Sequence, residues 1–194
     1  MEHALVAGRA RPAFGERLRQ VLTAIGGTVI SFALASLLHF IYKWSGQLRP
    51  VAIFASVNES VWEHVKILLW PYLLWSFAVY YILKPDVRRL IAARTAGAYL
   101  IGALVIGFFY IYTGILGYNV AWVDILSAAV WLLAGEIVSM RVLNGRWSTR
   151  DYYLIALAAL VLLVVMLLCF TVSPPHLGLF ADPNTGLYGL EVMP

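Results

Sequence analysis

Four stretches of this chain hold no Asp, Glu, Lys or Arg: Val21–Tyr42, Ile67–Leu83, Thr95–Val123 and Tyr152–Thr171. About 20 apolar residues cross a bilayer as a helix. Within hydrocarbon each backbone N–H and C=O must be satisfied by the protein, which restricts a spanning segment to a helix or a closed barrel. Runs of this length select the helix. Thr95–Val123 is too long for one span, and Gly114, Gly117 and Asn119 supply a turn near its end. The spacing therefore predicts five membrane helices, over about 21–43, 60–83, 96–115, 121–140 and 152–172. Ser173-Pro174-Pro175 stops the last, because proline lacks a donor and restricts the residue before it. The expectation is an all-α, five-helix transmembrane bundle forming a single domain over 21–173. A basic segment, 1–20, precedes it and a tail, 174–194, follows it.

Composition agrees. The chain is 62% hydrophobic and 12% charged, about half the charge of a soluble domain. The net charge of +4 is spread over short loops rather than gathered in a patch, so no nucleic-acid partner is expected. Cys169 has no second cysteine with which to form a disulfide and reads as a small core residue. The first apolar run is long for a signal peptide and lacks an Ala-x-Ala cleavage pattern, so it is expected to stay as the first span.

Eleven of the fourteen lysines and arginines fall on one side of such a bundle. They are Arg9, Arg11, Arg17, Arg19, Lys84, Arg88, Arg89, Arg94, Arg141, Arg146 and Arg150. Lys43, Arg49 and Lys66 fall on the other. The positive-inside rule puts the N-terminus in the cytoplasm and the tail outside. Trp44, Trp62, Tyr118 and Trp122 form an outer aromatic belt, and Trp147, Tyr152 and Tyr153 an inner one.

This topology gathers chemistry at the outer face. Val57-Asn58-Glu59-Ser60-Val61-Trp62-Glu63-His64-Val65-Lys66 opens directly into the second span. His39 lies near the outer end of the first span, Asp124 at the outer start of the fourth, and His176 in the tail. Ionisable groups at the mouth of a membrane helix are costly and tend to serve a partner, a pore or a reaction. The candidate metal ligands are His39, His64, Asp124 and His176, around a divalent ion such as zinc, which wants about three N/O ligands plus water. Glu63 and Glu59 are the candidate catalytic bases on a metal-bound water. Asn58, Ser60, Trp62, Lys66, Asp182 and Tyr188 are the candidate substrate contacts. At about 100° per residue, Glu59, Glu63 and Lys66 would share one helical sector.

Structural readings of the same residues stand beside these. Ser60-x-x-Glu63 has the form of a capping box, with Ser56-x-x-Glu59 as a second register. Glu63 and Lys66 are spaced to pair at i,i+3. Asp124 reads as a cap and His39 as an interhelical hydrogen-bonding group. Glu136 lies about 18 Å deeper than Asp124 along a straight helix, placed to pair with Arg141 or to serve an ion relay. Pro50–Val57 is too short to span and is expected to dip and return. Asp182-Pro183-Asn184-Thr185-Gly186 reads as a tight turn in a tail folded back over the outer face.

Asn58-Glu59-Ser60-Val61-Trp62-Glu63-His64, together with Pro175-His176, Phe180-Ala181-Asp182-Pro183 and Gly186-Leu187-Tyr188-Gly189, resembles a family of small bacterial integral membrane proteins that carries only an uncharacterised-domain label. The resemblance covers most of the chain and implies a multi-pass protein of the bacterial inner (plasma) membrane. It implies no activity. A weaker similarity is to the membrane hydrolases that include alkaline ceramidases and adiponectin-receptor-like proteins, which hold zinc with histidines at one membrane face. This chain departs from them in having five expected spans and no paired histidines on a late helix.

Three functions follow as alternatives. One is a metal-dependent hydrolase acting on a lipid-like substrate. Another is a binding or transport protein for a small cation or amine, acting as a homo-oligomer. The third is a structural subunit of a membrane complex.

Overall fold

The computed structural model describes residues 14–145 and 149–191, the side chains of 149–151 excepted. The sequence expectations on Arg9, Arg11, Arg146 and Trp147 lie outside the described residues, as does that on the Arg150 side chain. Six helices follow in order: α1 Phe14–Trp44, α2 Arg49–Ala52, α3 Val61–Leu83, α4 Val87–Leu116, α5 Ala121–Asn144 and α6 Thr149–Val172. All but α2 are long and apolar enough to cross a membrane. Strand pairing among the described residues is limited to one antiparallel bridge, Ala181 with Tyr188.

Two helices begin well before the positions expected from charge. Asp86 caps α4 by accepting the Arg89 N–H at 3.1 Å, so the helix starts at Val87 and carries Arg88, Arg89 and Arg94 within it. Similarly, α1 starts at Phe14 and takes in Arg17 and Arg19. A charge-free window finds the hydrocarbon-spanning part of a helix, whereas the helix itself runs on through the interface. Lys84, in the left-handed region at φ 49°, closes α3 and permits the short turn into α4. Gly117, at φ 81°, closes α4 in the same way before α5.

Helices in lipid gain little from burying apolar side chains against each other, so close packing of small residues has to hold them. The buried stripe of α1 is Thr23, Ala24, Gly27, Ser31 and Ala35. At Gly27 a Cβ would come within 2.5 Å of Trp75 Nε1 and 2.8 Å of Glu136 Oε1, so only glycine allows this approach. Gly135 of α5 packs on Ile101 of α4 with equally little room. The core between these contacts holds Leu69 and Tyr72 of α3, Ile101 of α4, Leu132 of α5 and Leu167 of α6. The outer part of α6 joins through Thr171, and its middle through Tyr99, whose hydroxyl donates to the Ala159 carbonyl at 2.9 Å.

Buried charge marks two levels of the bundle. Near the N-terminal end of α3, Lys66 Nζ lies 2.6 Å from Glu63 Oε2, with neither side chain appreciably exposed. Deeper, Arg94 Nη1 donates to Glu136 Oε2 at 2.8 Å. The topology count had placed Arg94 in a loop and Glu136 beside Arg141. The early start of α4 carries Arg94 about two turns into the bundle, where it reaches α5 instead.

The tail packs on the N-terminal end of α3. The Trp62 N–H donates to the Leu179 carbonyl at 3.1 Å. Phe180 is buried between Trp62 and Phe170, with ring centroids at 5.3 and 5.1 Å. Trp62 is therefore covered by the tail and does not belong to the interfacial belt, unlike the exposed Trp44 and Trp122.

Candidate metal site

Ser60 makes the local geometry. It is the N-cap of α3, with extended backbone, and its hydroxyl accepts the Glu63 N–H at 3.4 Å. Glu59 thus precedes the helix and does not share the sector of Glu63 and Lys66 that helical extrapolation gives it. The two glutamates part company. Glu63 turns inward and Glu59 stays at the surface, with 47% of its side chain exposed.

At the surface, Glu59 meets two imidazoles from different helices. Its Oε1 lies 3.6 Å from His39 Nε2 of α1, and its Oε2 lies 3.7 Å from His64 Nε2 of α3. The two rings stand 5.4 Å apart. One ligand atom from each of the three residues falls within 4.8 Å of the others. Ligands about 2.0–2.2 Å from a tetrahedral zinc sit roughly 3.4 Å apart, so the cluster is slightly wider than a closed site. Exposed carboxylate–imidazole pairs stabilise a fold by only about 0–1 kcal/mol, which gives stability little part in bringing two imidazoles to one carboxylate.

The His64 ring is oriented from behind. Its Nδ1 lies 2.8 Å from the Ser60 carbonyl, which accepts only, so Nδ1 carries the hydrogen. Neutral His64 then presents the Nε2 lone pair toward Glu59. A backbone carbonyl on the far nitrogen is the usual way to fix a metal-binding imidazole. His39 is held by an edge contact with Phe40, which in turn stacks on Trp44.

The other residues singled out from the sequence lie elsewhere. Glu63 accepts the Val57 N–H at 2.8 Å and pairs with Lys66. Lys66 also donates to the Ala52 carbonyl at 2.8 Å and to Thr171 Oγ1 at 3.0 Å. All three ammonium hydrogens and one carboxylate oxygen of Glu63 are engaged, which ties the 49–58 segment and α6 to α3. Asn58 accepts from the Ser60 N–H at 3.0 Å and reaches the Gly189 carbonyl at 3.4 Å. Asp124 accepts the Tyr112 hydroxyl at 2.6 Å, linking α5 to α4, and is not in the three-residue cluster. Asp182 shapes the tail turn by accepting the Asn184 N–H at 2.8 Å. His176 stacks on Tyr188 at 4.4 Å, with Nε2 3.9 Å from Glu191. The candidate residues gathered at one level by the topology therefore divide into a surface cluster, a buried brace, a tail clasp and the separate Asp124–Tyr112 link.

The sequence reading had Glu59 as a base beside Glu63, not beside the two imidazoles. Its place rests on α3 starting after Ser60. The Asn-x-Ser turn before the helix was a signal of that start, since Asn58 Oδ1 takes the Ser60 N–H.

The family of unknown function DUF6512 has a model that matches residues 19–190, and the chain belongs to that family. No curated protein and no solved structure matches the chain.

Proposed function

From that membership, which brings no activity with it, we propose that the chain is a metal-binding protein of the bacterial inner membrane, oriented with its N-terminus in the cytoplasm. It holds a zinc-like divalent ion at the outer face through His39 Nε2, His64 Nε2 and the Glu59 carboxylate. The observation that carries this reading is the convergence of those three ligand atoms within 4.8 Å. Two nitrogens and a carboxylate are the donor set of a zinc site that keeps one position open. Imidazole also favours zinc, copper and nickel over calcium or magnesium. Asp124 and His176 have no part in the proposed ligand set.

The hydrolase reading needs more than this set. A metal-bound water is activated by the ion, but a nearby base is the usual aid. Glu59 serves as ligand, and Glu63 is held by Lys66 and the Val57 N–H. The geometry thus favours capture of a metal over hydrolysis of a lipid-like substrate. Cobalt substitution tests the reading. A tetrahedral visible spectrum is expected in the wild type, and none in His64→Ala. A featureless wild-type spectrum under saturating cobalt overturns it.

A further inference from the structure

A second polar centre lies deeper, where α1, α3, α4 and α5 meet. Arg94 is satisfied from several directions. Nη1 donates to Glu136 Oε2 at 2.8 Å and Nε to Ser76 Oγ at 3.0 Å, and Nη2 donates to the Tyr72 carbonyl. The guanidinium also stands 3.5 Å from the centre of the Tyr72 ring. Its partner is not so served. Glu136 is fully buried, and its Oε1 has no hydrogen-bond partner among the described residues. The Ser31 hydroxyl, equally buried, has none either, whereas the Ser139 hydroxyl has the Tyr72 hydroxyl beside it.

Two of these oxygens meet at the α1–α5 contact. Glu136 Oε1 lies against α1 at Gly27, where an added Cβ would come within 2.8 Å of it. Ser31 is one turn outward from Gly27 on the buried stripe of α1. The two orphan atoms are therefore separated by about one helical turn along α1. Other donors close by are already committed: Trp75 Nε1 donates to the Thr23 carbonyl at 3.2 Å, and the Tyr72 hydroxyl to the Gly135 carbonyl at 3.4 Å.

An ionised carboxylate offers about four acceptor sites. Here one is filled, in surroundings where lipid supplies no donor. Buried polar atoms without a protein partner are the places where proteins hold internal water, which needs 2–4 polar partners. We propose that the α1–α5 seam is a binding site for internal water, held between Glu136 Oε1 and the Ser31 hydroxyl. Water donates to Oε1 and accepts from a seryl hydroxyl, so both kinds of orphan are satisfied together. A metal cation is disfavoured there by the Arg94 guanidinium next to Glu136. The Arg94–Glu136 pair is then a hydrated ion pair inside the membrane. This inference is independent of the metal site.

Radiolytic hydroxyl labelling of the full chain in lipid nanodiscs tests it, using oxygen-18 water to separate bound from bulk water. Tyr72 reports, because it is fully buried and lies beside both Arg94 and Gly135. Wild-type Tyr72 is expected to be oxidised with slowly exchanging oxygen. That yield falls several-fold in the Ser31→Ala variant, while the exposed Tyr118 changes little. An unlabelled Tyr72 in the wild type overturns the proposal without recourse to any variant. So does a Tyr72 yield that the Ser31→Ala variant leaves unchanged.

Discussion

The Nδ1 of His64 donates to the carbonyl of Ser60 at 2.8 Å, one helical turn back. That bond joins helix capping to the proposed chemistry. The residue that starts α3 also decides which nitrogen of His64 faces Glu59. A mutation that moves the start of α3 should therefore disturb the metal site without touching a ligand. Ser60→Ala removes the hydroxyl cap, a loss of about 1 kcal/mol, and leaves the carbonyl in place. Zinc affinity is expected to fall by less than the roughly 10–100-fold that follows loss of a group orienting a ligand, because the carbonyl remains. Isothermal titration with zinc measures it.

Zinc binding should weaken in acid. The ion binds neutral imidazole and ionised carboxylate, so protons compete with it at all three ligands. Affinity is expected to rise from acidic to neutral pH and then to level off. Titrations at several pH values check this, and an affinity that rises as the pH is lowered would contradict it.

Glu63 and Lys66 are braces in this account. Breaking a buried pair by removing one partner leaves a bare charge and costs about 3–5 kcal/mol. Glu63→Gln and Lys66→Met are each expected to lower stability on that scale. The double variant Glu63→Leu/Lys66→Met should recover much of the loss, because no unpaired charge remains. Unfolding in mixed micelles gives the comparison. Zinc affinity of whatever folds should stay within a few-fold of wild type.

The tail clasp depends on Gly189. Its φ is 54°, and an added Cβ would come within 2.8 Å of the Thr171 carbonyl and 2.9 Å of Pro174 Cδ. Gly189→Ala combines left-handed strain of about 1–3 kcal/mol with that clash. The expected result is faster hydrogen exchange at the Trp62 amide, which donates to Leu179 of the tail.

Arg94→Lys is not a mild change at this site. The guanidinium bonds Glu136, Ser76 and the Tyr72 carbonyl at once, and an ammonium cannot reproduce that planar fork. A stability loss of about 2 kcal/mol or more is expected, since hydrogen bonds to charged groups are worth roughly 1.5–3 kcal/mol each. The same unfolding assay measures it.

The five apolar helices were legible in the sequence because hydrocarbon thickness sets a length and excludes charge. That same criterion hid Arg94. A search for charge-free windows ends a helix at its first arginine, so an arginine buried by a partner reads as a loop residue. Its partner Glu136 was visible as an intramembrane carboxylate but was matched to Arg141. At the outer face, His39 and His64 stood out by type and by level. Glu59 stood out as a base beside Glu63 rather than as a neighbour of the imidazoles, because helical periodicity was carried back through it, whereas α3 starts after Ser60. Asp124, His176 and the tail residues shared the level of the site without sharing its place, since a topology fixes height and not azimuth around the bundle.

Zinc content of the purified, dialysed protein tests the central claim most directly. The account predicts one zinc per chain in the wild type, in Asp124→Asn and in His176→Ala, and loss of that zinc in His39→Ala, His64→Ala and Glu59→Ala. A wild type that holds no zinc after saturation, or a His39→Ala/His64→Ala variant that holds as much as the wild type, contradicts it.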